Sequence, residues 1–462
     1  MSEPPKYTNP YEFDMLMLEP VHEMMQTGIR IDQEEKKRLQ QEYIDKWAEH
    51  QTNLNRFSGA YVNVGSTPMM CSLLYDELGL PIRKKKGKPT TDEDALRALM
   101  AECQAKIDSL KTESAKIRWM RGFIICRLAL NVRSMRKRIS SYLGLRIHKG
   151  ELHGEVPLED TDGRIRGTIS VGGTETGRFS HSKTLWGTGV NLATIPRELR
   201  IMFIADDGYE LAEIDLERGE SWVYAHLSND PELLRIHREG ADFHAETAGA
   251  VSEAFGEAID PEWIIAHKAT EAYKIRYLGK KVNHASSYRM GPFKGAETVN
   301  KEADDTGITA TVSQFKKAQS LWLEKYFMIE SWWNDIEVQL GKDRTLITPY
   351  GRVHTFHGMW GKDLFKAATA YVPQSTSVDY INRGLLRIYH RFQKTGAFGG
   401  IRILAQTHDS ILIQYRSDDR DNAIPELEAA IRSTLRIGQH EFHIPTESSY
   451  GQSWGDQDEY KP

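Results

Sequence analysis

Two aspartates stand where an apolar run gives way to a polar turn. Asp215 lies in "LAEIDLE", and Asp409 lies much later in the chain, in "QTHDSI". Carboxylates delivered by separate strands to one rim can hold two hard divalent cations, Mg²⁺ being the usual choice and Mn²⁺ a substitute. Such ions, roughly 3.5–4 Å apart, suit in-line displacement at phosphorus. Taken singly, each aspartate could equally cap its own turn. A second feature is "RYLGKKVNHASSYRMGP", Arg276 to Pro292. On a helical projection of about 100° per residue, Arg276, Lys280, Asn283, His284, Ser287 and Tyr288 share one stripe. Leu278, Val282, Ala285 and Met290 fall on the far side. The cations come first and the rings follow, an order that suits a triphosphate followed by its sugar and base. Lys meets phosphate as a point charge and Arg as a fork. A solvated polar face is the alternative.

The elements that must position these groups are legible in outline. "YELAEIDLE" reads as a buried strand, and "IRILAQTHDSILIQY" as two apolar strands joined by a tight turn at Thr407 to Ser410. Residues from about 11 to 150 read as mostly helical, with a basic loop from Arg83 to Lys88 and a basic run from Arg133 to Arg138. Helices recur from 242 to 340, and one more is expected from about 422 to 438. The chain has 462 residues, 40% apolar and 27% charged, which suits a globular protein of several structural units. A net charge of −5 means that any polyanion must be met by a local basic groove. No apolar run is long enough to span a membrane, and no signal peptide opens the chain. Cys71, Cys103 and Cys126 lack metal or disulfide spacing, which points to a reducing, cytoplasmic setting.

A series of ordered segments carries a resemblance. "TETGRFSHS" with "NLATIP" (Thr174 to Pro196) resembles a TGR…NLQNIP segment. "DLERGESWVYAHLSND" (Asp215 to Asp230) resembles a motif A, and "DFHAETA" (Asp242 to Ala248) follows it. The Arg276 to Pro292 stretch resembles a motif B. "TPYGRVHTF" and "VPQSTSVD" come next, and "QTHDSI" resembles a motif C. The family with this order is the family A DNA polymerases, of the bacterial DNA polymerase I and T-odd phage type. "EPVHEMMQTGIRID" (Glu19 to Asp32) is similar to the segment that opens the polymerase part.

The resemblance implies a helix-rich α+β right hand with an antiparallel-sheet palm, helical fingers and a helical thumb. It implies an N-terminal extension over 1–19, the thumb over 20–150, the palm over 151–226 and 373–462, and the fingers over 227–372. Too few residues precede the thumb for a 3′–5′ exonuclease domain, so no intrinsic proofreading is expected. A separate exonuclease or a processivity factor would then be a partner. The implied activity is template-directed addition of dNTPs to a primer 3′-OH with two metal ions, in a bacterial or phage-infected cell. Asp215 and Asp409, with the Leu216 carbonyl, would hold the metals. Arg276 and Lys280 would grip the triphosphate, Lys280 also protonating the leaving pyrophosphate. His284 would lie at the sugar, Tyr288 would shape the templating pocket, and Glu220 would be the steric gate against a 2′-hydroxyl. Arg178, Arg352, Gln374, His408, Asn283 and Arg289 would contact primer–template DNA. The basic loop and run of the thumb would track the duplex backbone.

The chain departs from the family pattern at several of these positions. Ser410 stands where motif C has glutamate, His284 where motif B has Phe or Tyr, Arg289 where it has glycine, and Trp222 where motif A has arginine. Two other readings stay open at this level. A single-subunit RNA polymerase-like enzyme shares parts of motifs A and B, although Glu220 argues for a closed 2′ position. A catalytically inactive, polymerase-derived DNA-binding protein finds its only support in Ser410.

Overall fold

The computed structural model describes residues 3–148 and 150–461. A helical arm comes first. Its helix Gln33–Ser58 starts at Asp32, whose carboxylate accepts from the Glu34 and Glu35 amides, and ends at Gly59 in the left-handed region (φ 81°). Helices Glu93–Ser109 and Glu113–Tyr142 pack against it, burying Leu39, Trp47, Leu54, Leu99, Ile125 and Val132 in one core. The basic loop is a small hairpin, Lys84–Lys85 paired with Lys88–Pro89, which leaves Lys84, Lys86 and Lys88 exposed. The basic run differs from expectation. Arg133 turns inward and donates to the Val64 and Thr91 carbonyls, and Arg138 pairs with Glu198.

The centre is a five-stranded antiparallel sheet. Its order is Arg402–Thr407, Ser410–Arg416, Tyr209–Leu216, Thr446–Gly451 and Asp458–Glu459. One face packs Ile214, Ile411 and Ile413 against Tyr380, Leu385, Ile424 and Leu427. Helix Pro10–Thr27 adds Phe13, Met17, Val21 and Met24 to the same core. A boundary between residues 19 and 20 would therefore cut a single helix, one that packs with the sheet.

A second helical body holds Gly219–Ser228, Phe243–Val251, Tyr273–Ser287, Val312–Lys325 and Ile329–Asp343 around Val282, Phe315, Trp322 and Tyr326. Helix Lys362–Ile388 joins this body to the sheet. Leu364 to Val372 bury in the helical core and Tyr380 to Ile388 in the sheet core. The late helix is shorter than expected. Arg420–Ile431 stops at Arg432, and Leu435–Ile437 pairs instead with His440–Phe442 about Gly438 (φ 57°). The β-branched Ile437 favours that strand. Among the described residues no helix is long and apolar enough to cross a membrane.

Candidate active site at the rim of the sheet

Asp215 and Asp409 come together at one end of the sheet. In the ladder Asp215 faces Ser410, the residue after Asp409. The Leu216 amide donates to the Asp409 carbonyl at 3.0 Å. His408 and Asp409 form the two-residue turn between paired Thr407 and Ser410. His408 has φ 61°, a conformation uncommon for a residue with a side chain and typical of a tight hairpin. Desolvation pushes the Asp215 carboxyl well above the usual range, with the charges of Asp409, Glu213 and Glu447 adding to it. Desolvation raises Asp409 as well. The rim thus holds more negative charge than its neighbours offset. An oxygen-only donor set of this sign fits hard divalent cations. Among the described residues no three His, Cys, Asp or Glu side chains converge as ligands of a single ion.

One rim carboxylate was not anticipated. Glu213 lies two residues before Asp215 and so on the same strand face. Its Oε1 accepts from the Ser410 hydroxyl at 2.9 Å and its Oε2 from Trp454 Nε1 at 3.0 Å. Strand alternation counted back from Asp215 was the available signal.

Glu220 opens the helix that follows the Asp215 strand. It is only partly exposed, and its carboxylate accepts from Arg178 Nη2 at 2.8 Å and from the Tyr288 hydroxyl. Desolvation raises its carboxyl, and burial beside it lifts Tyr288 well above the phenol range. Tyr288 caps the C-terminal end of helix Tyr273–Ser287, so this bond ties that helix to the rim. His284 lies one turn back from Tyr288, Lys280 two turns and Arg276 three, about 1.5 Å of rise per residue. Lys280 and His284 are exposed, and the Arg276 Nε donates to Asp242 at 3.0 Å. Desolvation and then the Lys280 charge hold the His284 ring below its usual value. Gly279 has a steric role: a Cβ there would meet the His244 carbonyl at 2.6 Å, which lets helix Phe243–Val251 lie close behind.

Three of the residues expected to contact DNA have partners within the protein. Asn283 is 2% exposed. Its Oδ1 accepts from Thr247 Oγ1 and Trp322 Nε1, both at 2.8 Å, and its Nδ2 meets His244 Nδ1 at 3.2 Å. The helix buries more than one face, because Asn283 and Ser287 turn toward its partners rather than into the cationic stripe. Arg352 is also committed inward. Four of its N–H groups bond Asp14 and Asp379 at 2.8–3.2 Å, bracing helix Pro10–Thr27 against helix Lys362–Ile388. Arg289 pairs with Glu337 at 2.5 Å and lies over the Trp333 and Phe365 rings. Gln374 is half-buried on helix Lys362–Ile388 and His408 is exposed at the rim. Trp222 stacks in an aromatic group with His226, His237 and Phe442.

A helical arm, an antiparallel sheet with paired aspartates at its rim and a helical body facing that rim define a polymerase-type right hand. The sequence profile of DNA polymerase family A matches residues 33–456, and the chain belongs to that family. It is similar to DNA polymerase I of Helicobacter pylori, 26% identical over 431 residues, covering 91% of this chain and 41% of that protein. It is also similar to the thermostable DNA polymerase I of Thermus aquaticus, 25% identical over 443 residues, covering 93% of this chain and 46% of the relative. The chain thus spans less than half the length of these relatives. Among solved structures, the POL domain of Pol1 from M. smegmatis, in complex with DNA primer-template and dNTP, shares the fold. Its TM-score is 0.70 at 21% identity, with 96% of this chain and 70% of that chain covered.

Proposed function

We propose that this chain is a DNA-directed DNA polymerase that adds dNTPs to a primer 3′-OH and releases pyrophosphate. The observation that carries the reading is the convergence of Asp215 and Asp409 from adjacent strands on one negatively charged rim. In this reading Asp215, Asp409 and the Leu216 carbonyl would hold two Mg²⁺ ions. When bound, such ions acidify the primer hydroxyl and offset the charge of the leaving pyrophosphate. Lys280 and Arg276 take the triphosphate, and Lys280, exposed on its helix, is available to protonate the leaving group. Asp242 holds the Arg276 fork in place through its Nε. His284 meets the sugar as a hydrogen-bonding ring. Glu220, fixed between Arg178 and Tyr288, closes the space a 2′-hydroxyl would need. That closed position supports dNTPs over rNTPs. The arm to about residue 150 serves as thumb, the sheet as palm and the helical body as fingers. Arg178, His408 and Gln374 remain for the primer–template near its growing end, and Lys84, Lys86 and Lys88 for its backbone.

Extension of a labelled primer on a DNA template with Mg²⁺ tests the reading. Wild type is expected to extend with dNTPs and poorly with rNTPs, and Asp215→Ala to extend with neither. An absence of wild-type extension, or an Asp215→Ala enzyme as active as wild type, would refute it.

A further inference from the structure

The rim holds a carboxylate that the mechanism above does not use. Glu213 stands on the same face of the central strand as Asp215, about 7 Å away along a strand rising roughly 3.3–3.4 Å per residue. Its side chain is 18% exposed and bonded at both oxygens. The bonds reach both sides of the site. Trp454 holds Oε2, and Arg200 lies 3.5 Å from Oε1 and over the Trp454 ring. On the other side Ser410 donates to Oε1, and its Oγ lies 2.7 Å from Thr407 Oγ1. Thr407 and Ser410 are the two ends of the turn that carries Asp409. A chain of hydrogen bonds therefore runs from the Asp215 strand beneath the rim to the base of the Asp409 turn. It passes through the one motif C position where the carboxylate is missing.

We propose that Glu213 supplies the third carboxylate charge of this metal site from the neighbouring strand. It acts as a positioning residue that, through Ser410, fixes the Asp409 turn against Asp215. This rests on the reading that Asp215 and Asp409 hold divalent ions. Glu213 itself ligates none, because its oxygens are taken by Ser410, Trp454 and Arg200. Its contribution is geometric and electrostatic: it orients one ligand and adds a carboxylate charge that acts on Asp215 beside those of Asp409 and Glu447. Compared with Glu at 410, the charge has moved across a hydrogen bond from one strand to the next.

The test is direct metal binding. Mn²⁺ is titrated by electron paramagnetic resonance into the full chain with a dideoxy-terminated primer–template and the next dNTP, so that no turnover occurs. Glu213→Gln removes the charge and keeps one acceptor oxygen for Ser410, while its amide replaces the oxygen that accepts from Trp454 Nε1. It is expected to bind Mn²⁺ about tenfold more weakly, from one unit charge at that separation in a partly screened site. Ser410→Glu added to Glu213→Gln is expected to recover most of that loss, which a purely structural role would not do. Glu213→Gln binding Mn²⁺ as tightly as wild type, or failure of the added Ser410→Glu to recover affinity, overturns the proposal. Absence of Mn²⁺ binding by wild type would instead overturn the two-metal reading beneath it.

Discussion

Replacing Asp215 with asparagine should stabilise the metal-free protein while removing its activity. Desolvation and the neighbouring Asp409 charge raise the folded Asp215 carboxyl above its unfolded value. A raised carboxyl contributes stability that is complete below the unfolded value, about 4, and is lost as pH climbs through the folded one. At pH 8 in EDTA the folded protein therefore bears a charge repulsion that the unfolded chain relieves. Two unit charges about 5–8 Å apart at an effective dielectric of about 20 repel by roughly 2–3 kcal/mol. Partial exposure of the pair lowers this to about 1–2 kcal/mol. Asp215→Asn removes the repulsion while keeping the shape. Thermal unfolding in EDTA is the assay: at pH 8 the variant should melt a degree or more above wild type. The difference should shrink as pH falls toward 4, and added Mg²⁺ should stabilise wild type more than the variant. A variant that melts at or below wild type at pH 8 would refute the reasoning.

Other consequences can be checked in the same protein. Arg352→Ala should destabilise by about 3–5 kcal/mol in chemical denaturation, because it leaves the 1% exposed Asp379 without its partner. Primer–template affinity, measured by fluorescence anisotropy, should hardly change. Asn283→Ala should cost about 2–4 kcal/mol, since Trp322 and His244 lose a buried partner and Thr247 retains only Tyr326. Lys280→Ala should fold normally and lower kcat/KM for dNTP about a hundredfold or more in steady-state extension. Glu220→Ala should raise incorporation of rNTPs relative to dNTPs about tenfold or more, read by competing the two on one template.

The elements were legible where the pattern was local. The run of apolar residues in "LAEIDLE" and the tight turn at His408 and Asp409 announced the strands, and the structure pairs the hairpin as that pattern implies; the pairing of Tyr209–Leu216 with Ser410–Arg416 was not legible in spacing. Helical spacing located Tyr273–Ser287, with Lys280 exposed and Arg276 half-buried against Asp242. Partners distant in the chain were not legible. A helical projection treats the polar face as one surface, whereas Asn283 turns inward to satisfy a tryptophan on another helix. Arg352 reads as a basic residue in a loop until Asp14, 338 residues away, and Asp379, 27 residues away, are brought to it. Glu213 reads as one charge in a strand until Ser410 arrives across the ladder. Each of these residues depends on contacts that no local window contains.

The central claim is that Asp215 and Asp409 together carry nucleotidyl transfer. Single-turnover incorporation of one dNTP, with Mg²⁺ and enzyme in excess over primer–template, measures it most directly. Asp409→Asn is expected to slow the chemical step by about a thousandfold or more while primer–template binding is retained. Incorporation by Asp409→Asn at the wild-type rate would contradict the account.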